Sequence, residues 1–87
     1  TIADGLLTNL SERTLAIIRQ HVTDIKTVSD AEIIAAMRLI WERMKIIIEP
    51  SCAVPLAVVL KHKALFAGHK VGIILTGGNV DLGKLPF

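Results

Sequence analysis

Apolar and polar residues in the first third of the chain alternate with two different periods. Ser11 is a good N-cap residue, and after it Leu15, Ile18 and Val22 recur at helical spacing on one face. Residues 22–28 then alternate between the two sides of an extended chain, which is typical of a short strand. The pattern therefore predicts a helix that begins after Ser11 and a strand that follows it.

The strongest local signal along the chain is the start of a second helix at Ser29. The Ser29 hydroxyl can accept a hydrogen bond from the third helical amide, while Glu32 reaches back to the Ser29 amide. This capping box predicts a helix over residues 30–46. Apolar side chains occupy most of its circumference, so the helix should be covered on more than one side. The expected core residues of this helix include Met37, Trp41 and Met44.

Prolines and glycines organise the second half of the chain. Pro50 stops the second helix, because the residue before a proline is pushed out of the helical region, and a third helix is predicted from there to about Leu65. Pro55 should be tolerated only in its first turn. Residues 71–75 form an aliphatic run of the kind buried on both faces of a parallel sheet, and a glycine turn follows at residues 76–79. The predicted fold class is α/β, with helices packed against short parallel strands.

Composition and charge narrow the class of protein. Hydrophobic residues make up 52% of the 87-residue chain, more than a domain this small can bury, so we expect missing sequence or another chain to cover the excess. The net charge of +2 is spread along the chain and forms no basic patch, so neither nucleic acid nor a membrane surface is expected as a partner. A single cysteine and the lack of a signal-like start indicate a cytoplasmic protein. Residues 1–87 are predicted to form one segment without an internal boundary.

The histidines and the cysteine do not form a recognisable site. His21, His62 and His69 lack the spacing of metal ligands, so no metal is predicted and exposed positions are expected. Cys52 has no neighbouring base in sequence, and we interpret it as a small packing residue rather than a nucleophile.

The glycine turn is the first place where a ligand is expected. In open α/β sheets, ligands bind beyond the carboxyl ends of strands, and this turn directly follows the predicted buried strand. Its glycines let the backbone approach a flat ligand closely, and Thr76 and Asn79 offer a hydroxyl and an amide. Taken alone, Gly-Gly after a strand is more often simple turn chemistry than a ligand site.

Five blocks of the chain occur in the same order and at similar spacing in one enzyme family. They are TIADGL at 1–6, TVSDAEI at 27–33, AMRLIWERMK at 36–45, IEPS at 48–51 and ILTGGNVDL at 74–82. In these blocks the chain resembles the serine racemase and threonine dehydratase family of pyridoxal-phosphate enzymes. The resemblance implies a fold of the tryptophan synthase β-subunit type, in which the cofactor lies between two α/β domains. It also implies that this chain is the C-terminal part of the large domain.

The same resemblance implies roles for individual residues. Thr76 falls where these enzymes place a hydroxyl beside the pyridine nitrogen of pyridoxal phosphate, and Asn79 is its neighbour in the turn. Gly5 matches a glycine whose backbone passes close to the ring, and Thr8 matches a position near the substrate. Glu49 matches a glutamate near the ring on the floor of the pocket. The alternative for Glu49 is that it only caps the following helix through its amides.

The parts of a complete enzyme that have no counterpart here are equally informative. None of the lysines matches the Schiff-base lysine, so no catalytic residue is assigned and the chain alone is expected to be inactive. The resemblance implies a parent dehydratase or racemase that acts on a β-hydroxy amino acid such as serine, threonine or 3-hydroxyaspartate. Its expected partners are that amino acid, the rest of the same enzyme and further copies in a homo-oligomer. The alternative is a non-catalytic interaction module, a truncated copy that packs on a partner chain.

Overall fold

Helices joined by extended segments make up the computed structural model, which describes all 87 residues, Thr1–Phe87. The α-helices, in chain order, are α1 (Glu12–His21), α2 (Asp30–Met44), α3 (Pro50–Lys61) and α4 (Lys63–Phe66). Short 3₁₀ turns lie at Asp4–Leu6 and Leu82–Lys84. None of the helices is long and apolar enough to cross a membrane.

The first two α-helices begin where the sequence predicted. The Ser11 hydroxyl accepts a hydrogen bond from the Thr14 amide at 3.2 Å, and the Ser11 amide donates to the Thr14 hydroxyl at 3.0 Å. Ser29 and Glu32 form the predicted capping box, with corresponding distances of 3.2 and 2.8 Å. Both caps satisfy amides that would otherwise lack a partner at the helix start, and both predictions are confirmed.

The predicted ends of the helices need correction. Helix α2 ends at Met44 rather than two residues later, because Lys45 adopts a left-handed conformation with φ 58° and ψ 37°. The predicted third helix begins at Pro50 and runs through Pro55, which lies in its second turn and not in its first. It is then interrupted at His62, where φ is −116°, and only the short helix α4 continues beyond it.

The core lies between α2 and α3. The nine buried residues are Ala3, Ile33, Ala36, Met37, Ile40, Ile48, Cys52, Ala53 and Ala57. Several of them are alanines, whose short side chains let the two helix backbones approach closely. Cys52 is fully buried, as a packing residue should be, and Met37 is the largest of the fully buried side chains. Met44 was wrongly placed in the core, since 55% of it is exposed.

No β-strand is present, so the predicted short parallel strands at residues 22–28 and 71–75 are not confirmed. A strand requires a neighbour for its amides and carbonyls. Between the extended parts of this chain, a single backbone hydrogen bond joins the Glu49 amide to the Gly77 carbonyl, at 3.1 Å. Residues 71–75 are correspondingly open, with 78% of Ile74 exposed instead of buried.

Candidate functional site

Residues 47–51, which connect α2 to α3, form the centre of the candidate site, and we call them the 47–51 segment. Ile48 is 2% exposed and anchors the segment in the core. The indole N–H of Trp41 donates a hydrogen bond to the Ile48 carbonyl at 3.0 Å. Phe87 packs against the Trp41 ring, edge to face, with 5.5 Å between ring centroids. The position of the segment is therefore fixed both by burial and by a hydrogen bond from α2.

The glycine turn lies directly against this segment. The Glu49 amide donates to the Gly77 carbonyl, and a Cβ added to Gly77 would lie 3.1 Å from the Glu49 Oε1 atom. A Cβ added to Gly78 would lie only 2.6 Å from the carbonyl oxygen of Ile47. Real Cβ atoms do not approach backbone that closely, so this arrangement requires glycine at residue 78. Both glycines serve close backbone contact, and neither has a positive φ.

The 3₁₀ turn near the N-terminus reaches the other end of the 47–51 segment. The Gly5 amide donates a hydrogen bond to the Ser51 hydroxyl at 3.0 Å. A Cβ added to Gly5 would lie 2.8 Å from that oxygen. Gly5 is therefore held against the start of α3 by a hydrogen bond and by a contact that leaves no room for a side chain.

A carboxylate in the first turn of α2 fixes the residues that precede Gly5. Asp30 accepts a hydrogen bond from the Thr1 hydroxyl at 2.7 Å and one from the Ile2 amide at 3.0 Å. These two bonds hold the pKa of Asp30 below its ordinary value. A carboxyl group with a lowered pKa makes its contacts as the anion, so this tether weakens only as the pH falls through that lowered pKa. Ala3, just beyond, is 1% exposed.

The structure brings some of the predicted site residues together and leaves others free. Gly5 and Glu49 both lie at the 47–51 segment, Gly5 through its hydrogen bond to Ser51. Thr76 and Asn79 flank the glycine pair, are exposed, and their side chains form no hydrogen bond within the chain. Thr8 is also exposed and lies two residues beyond the 3₁₀ turn, without a contact to the segment.

Glu49 occupies the N-cap position of α3, yet its side chain forms no hydrogen bond with the helix amides. The backbone carbonyl of Glu49 accepts the Cys52 amide instead, at 3.0 Å. The Glu49 carboxylate lies beside Gly77. The Glu49 side chain therefore does not cap α3 in this structure.

Two residues that form hydrogen bonds in this region, Ser51 and Trp41, were not predicted from the sequence to have a functional role. Ser51 binds Gly5, 46 positions away in sequence, and Trp41 binds the Ile48 carbonyl. The Trp41 bond could have been anticipated in part, because an indole N–H that is largely buried usually finds an acceptor. No sequence signal pairs Ser51 with Gly5.

The chemistry of the site is that of binding and orientation. Its side chains offer one carboxylate, hydroxyls and an amide, but no amine and no thiol. The glycines leave backbone edges that a planar group can approach. Such a donor set can hold a flat, polar molecule and cannot by itself form a covalent imine.

The chain matches a family of known proteins in both sequence and fold. The family described as pyridoxal-phosphate dependent enzyme matches residues 1–77. A β-hydroxyaspartate dehydratase of Paracoccus denitrificans is 56% identical over 87 residues, covering 100% of this chain and 28% of that protein. An L-threo-3-hydroxyaspartate ammonia-lyase of Saccharomyces cerevisiae is 52% identical over 85 residues, covering 97% of this chain and 26% of that protein.

Solved structures agree with these sequence relatives. The crystal structure of serine racemase from Dictyostelium discoideum superposes with a TM-score of 0.87 at 52% identity, covering 94% of this chain and 28% of that one. The maize serine racemase superposes with a TM-score of 0.85 at 41% identity, covering 94% and 27% of the two chains. The chain spans about a quarter of the length of these relatives. Since the match extends over most of its residues, the chain belongs to the family of pyridoxal-phosphate dependent enzymes.

Proposed function

We propose that the chain is the C-terminal part of the large domain of a pyridoxal-phosphate dependent ammonia-lyase or racemase. The substrate class is a β-hydroxy amino acid, namely serine, threonine or 3-hydroxyaspartate. One observation carries this proposal: Gly5 and Gly77, from opposite ends of the chain, both hydrogen bond to the 47–51 segment. The resemblance had assigned these same three parts of the chain to the cofactor pocket. Relatives that are a hydroxyaspartate dehydratase and a serine racemase support the substrate class.

The residues present fit the cofactor. Gly5 and Gly78 pack so closely on the 47–51 segment that neither has room for a Cβ, and this packing brings the residues that would hold the ring to one stretch of backbone. Thr76 would place a neutral hydroxyl at the ring nitrogen, with Asn79 orienting that hydroxyl or the ring. Glu49 would lie near the ring on the floor of the pocket. When bound, pyridoxal phosphate supplies an electron sink for the carbanion that removal of the substrate α-proton leaves.

The neutral hydroxyl of Thr76 sets the character of this chemistry. A hydroxyl can either donate to or accept from the ring nitrogen, whereas an aspartate would hold that nitrogen protonated. Thr76 would therefore hold the ring nitrogen by a hydrogen bond without keeping it protonated. Thr8, at the exposed end of the N-terminal segment, would face the substrate. Orientation by these side chains is the contribution that this part of the enzyme makes.

The rest of the same protein is the proposed partner of the chain's open apolar surface. A cavity of about 540 Å³ beside α3 is lined in part by Pro55, Val58 and Ile73. A second one of about 250 Å³ is lined only by hydrophobic residues and shares Ile73 with the first. Residues 71–75 would become a strand of a parallel sheet when neighbouring strands cover these surfaces. The catalytic lysine and the phosphate-binding loop would come from that remainder, and the complete protein would be a cytoplasmic homo-oligomer.

The isolated chain is expected to have no dehydratase or racemase activity, because it offers no amine at the site to form the imine. The measurement is release of ammonia or keto acid from serine, threonine and 3-hydroxyaspartate, with pyridoxal phosphate added and the full-length parent as positive control. Turnover by the 87-residue chain above the buffer rate would contradict the assignment of the catalytic lysine to the remainder of the protein.

The decisive test of the proposed pocket is replacement of Thr76 in the full-length parent. Thr76→Ala removes one hydrogen bond, worth about 0.5 to 1.5 kcal/mol, so cofactor binding or turnover should weaken about threefold to tenfold. Thr76→Asp should hold the ring nitrogen protonated and shift the cofactor absorbance. The matched control is Thr27→Ala, since Thr27 is also exposed and its side chain also forms no hydrogen bond. Absorbance and elimination rates unchanged in both Thr76 variants would show that Thr76 belongs only to the turn.

A further inference from the structure

We propose that Ser51 is a positioning residue for the cofactor pocket: its hydroxyl holds the Gly5 backbone at the distance from the 47–51 segment that the ring requires. This inference rests on the proposed function, because it takes the Gly5 turn to be one wall of that pocket. It assigns to Ser51 a role that the resemblance did not.

Gly5 and Ser51 are joined by a short hydrogen bond. The Gly5 amide donates to the Ser51 Oγ atom at 3.0 Å, which keeps the turn from moving away from α3. A Cβ on Gly5 would lie 2.8 Å from the same oxygen and 3.3 Å from the Ser51 Cβ, so the turn also has no room to carry a side chain. The hydrogen bond to one side chain thus sets the separation between Gly5 and α3, at a distance that only glycine can adopt without displacing that side chain.

Ser51 lies in the first turn of α3, next to residues of the core. It is the second residue of α3 and follows Pro50, whose ring fixes its own φ at the first helical position. The next two residues, Cys52 and Ala53, are both 0% exposed and packed in the core. A hydroxyl in this turn has a defined position, whereas a hydroxyl on a loop would not.

Along the N-terminal segment, the hydrogen bond to Ser51 is the last one that reaches the rest of the chain. Asp30 holds Thr1 and Ile2, and Ser51 holds Gly5. Residues 6–10 are all exposed, and their hydrogen bonds reach back only to Ala3 and Asp4. Loss of the Ser51 hydroxyl would therefore release the turn and the following residues, including Thr8, while the Asp30 tether stays in place.

The Ser51 contact lies close in sequence to the contact made by the other wall of the proposed pocket. Two residues before Ser51, the Glu49 amide donates to the Gly77 carbonyl at 3.1 Å. Ser51 and Glu49 thus join Gly5 and the glycine turn to the same short stretch of backbone. The spacing between the two walls is set there, so a shift of Gly5 changes the width of the pocket without unfolding either helix.

The test compares Ser51→Ala with Ser51→Thr in the full-length parent, prepared with and without pyridoxal phosphate. Ser51→Ala is expected to speed amide hydrogen exchange in a peptide covering residues 4–8, even without cofactor. It should also weaken pyridoxal phosphate binding about threefold to tenfold and shift the cofactor absorbance. Ser51→Thr keeps the hydroxyl and should restore exchange, affinity and absorbance together.

Gly5→Ala provides a second test, because it probes the close contact between Gly5 and Ser51 directly. Gly5→Ala should weaken cofactor binding less in the Ser51→Ala background than in the wild-type protein, because the 2.8 Å contact with the hydroxyl is gone. Cofactor affinity and absorbance that stay unchanged in Ser51→Ala, in a protein where Thr76→Ala weakens binding, would overturn the role of Ser51 and leave the proposed function standing. A wild-type parent that binds no pyridoxal phosphate would overturn both.

Discussion

Replacing Met37 with alanine is expected to destabilise the fold by about 2 to 5 kcal/mol, the usual cost of truncating a large buried side chain. Met37 is 0% exposed and lies in the core between α2 and α3. The loss therefore includes both the burial of the side chain and the cavity that remains. The midpoint of urea unfolding of the 87-residue chain, in which the exposure of both methionines is known, measures the effect by circular dichroism.

The same helix provides a matched control. Met44 is 55% exposed, so Met44→Ala should change the free energy of unfolding by no more than about 0.5 kcal/mol. Both substitutions remove the same atoms and replace the same residue type in the same helix, so the difference between them isolates burial. Equal midpoints for the two variants would show that α2 does not pack on α3 through Met37.

The starts of the helices could be predicted from the sequence because their causes are local. Ser11 and Ser29 each accept a hydrogen bond from an amide three residues later, and every atom involved lies within one turn. The ends were harder to place. Lys45 ends α2 in a left-handed conformation that usually marks glycine, and His62 interrupts the third helix without a proline or glycine.

The burial of side chains and the pairing of strands were predicted less well than the helix starts. Both depend on contacts with other parts of the protein. The aliphatic run at residues 71–75 is typical of a buried strand, but burial requires chains on both sides of it. In this chain Ile74 is 78% exposed, and the backbone of the run forms no hydrogen bonds of a sheet. The sequence therefore indicates that this segment favours a buried strand, but not whether the segment forms one in this chain.

The candidate site shows the same division between local and long-range causes. Gly5, Glu49 and Thr76 were selected by the resemblance, and the structure places Gly5 against the segment that contains Glu49. Ser51 and Trp41, which fix that segment and its neighbour, act through contacts with residues far along the chain or across a turn. Such contacts have no periodicity and no motif, so only the fold reveals them.

Gly78→Ala is expected to destabilise the protein by about 1 to 3 kcal/mol, the range typical of forcing an extra carbon into a packed site. The new Cβ would lie 2.6 Å from the Ile47 carbonyl oxygen, and backbone on both sides has to move to relieve the clash. That movement would separate the glycine turn from the 47–51 segment. It should therefore also break the hydrogen bond between the Glu49 amide and the Gly77 carbonyl.

Two other glycines serve as controls for Gly78, because they separate the clash from the general effect of adding a methyl group. A Cβ on Gly72 would meet nothing within 4 Å, so Gly72→Ala should leave stability unchanged or raise it by up to about 1 kcal/mol. A Cβ on Gly77 would meet only the Glu49 Oε1 atom, at 3.1 Å, and that flexible side chain can move aside. Gly77→Ala should therefore fall between the other two.

Thermal unfolding of the three variants of the 87-residue chain, together with amide hydrogen exchange at Glu49, distinguishes these expectations. Gly78→Ala should lower the melting temperature most and speed exchange at the Glu49 amide, because that amide loses its acceptor. Gly72→Ala should do neither. If Gly78→Ala unfolded at the same temperature as Gly72→Ala and kept the Glu49 amide protected, the glycine turn would not lie against the 47–51 segment. In that case the pocket wall proposed to contact the cofactor ring would have to be built from other residues.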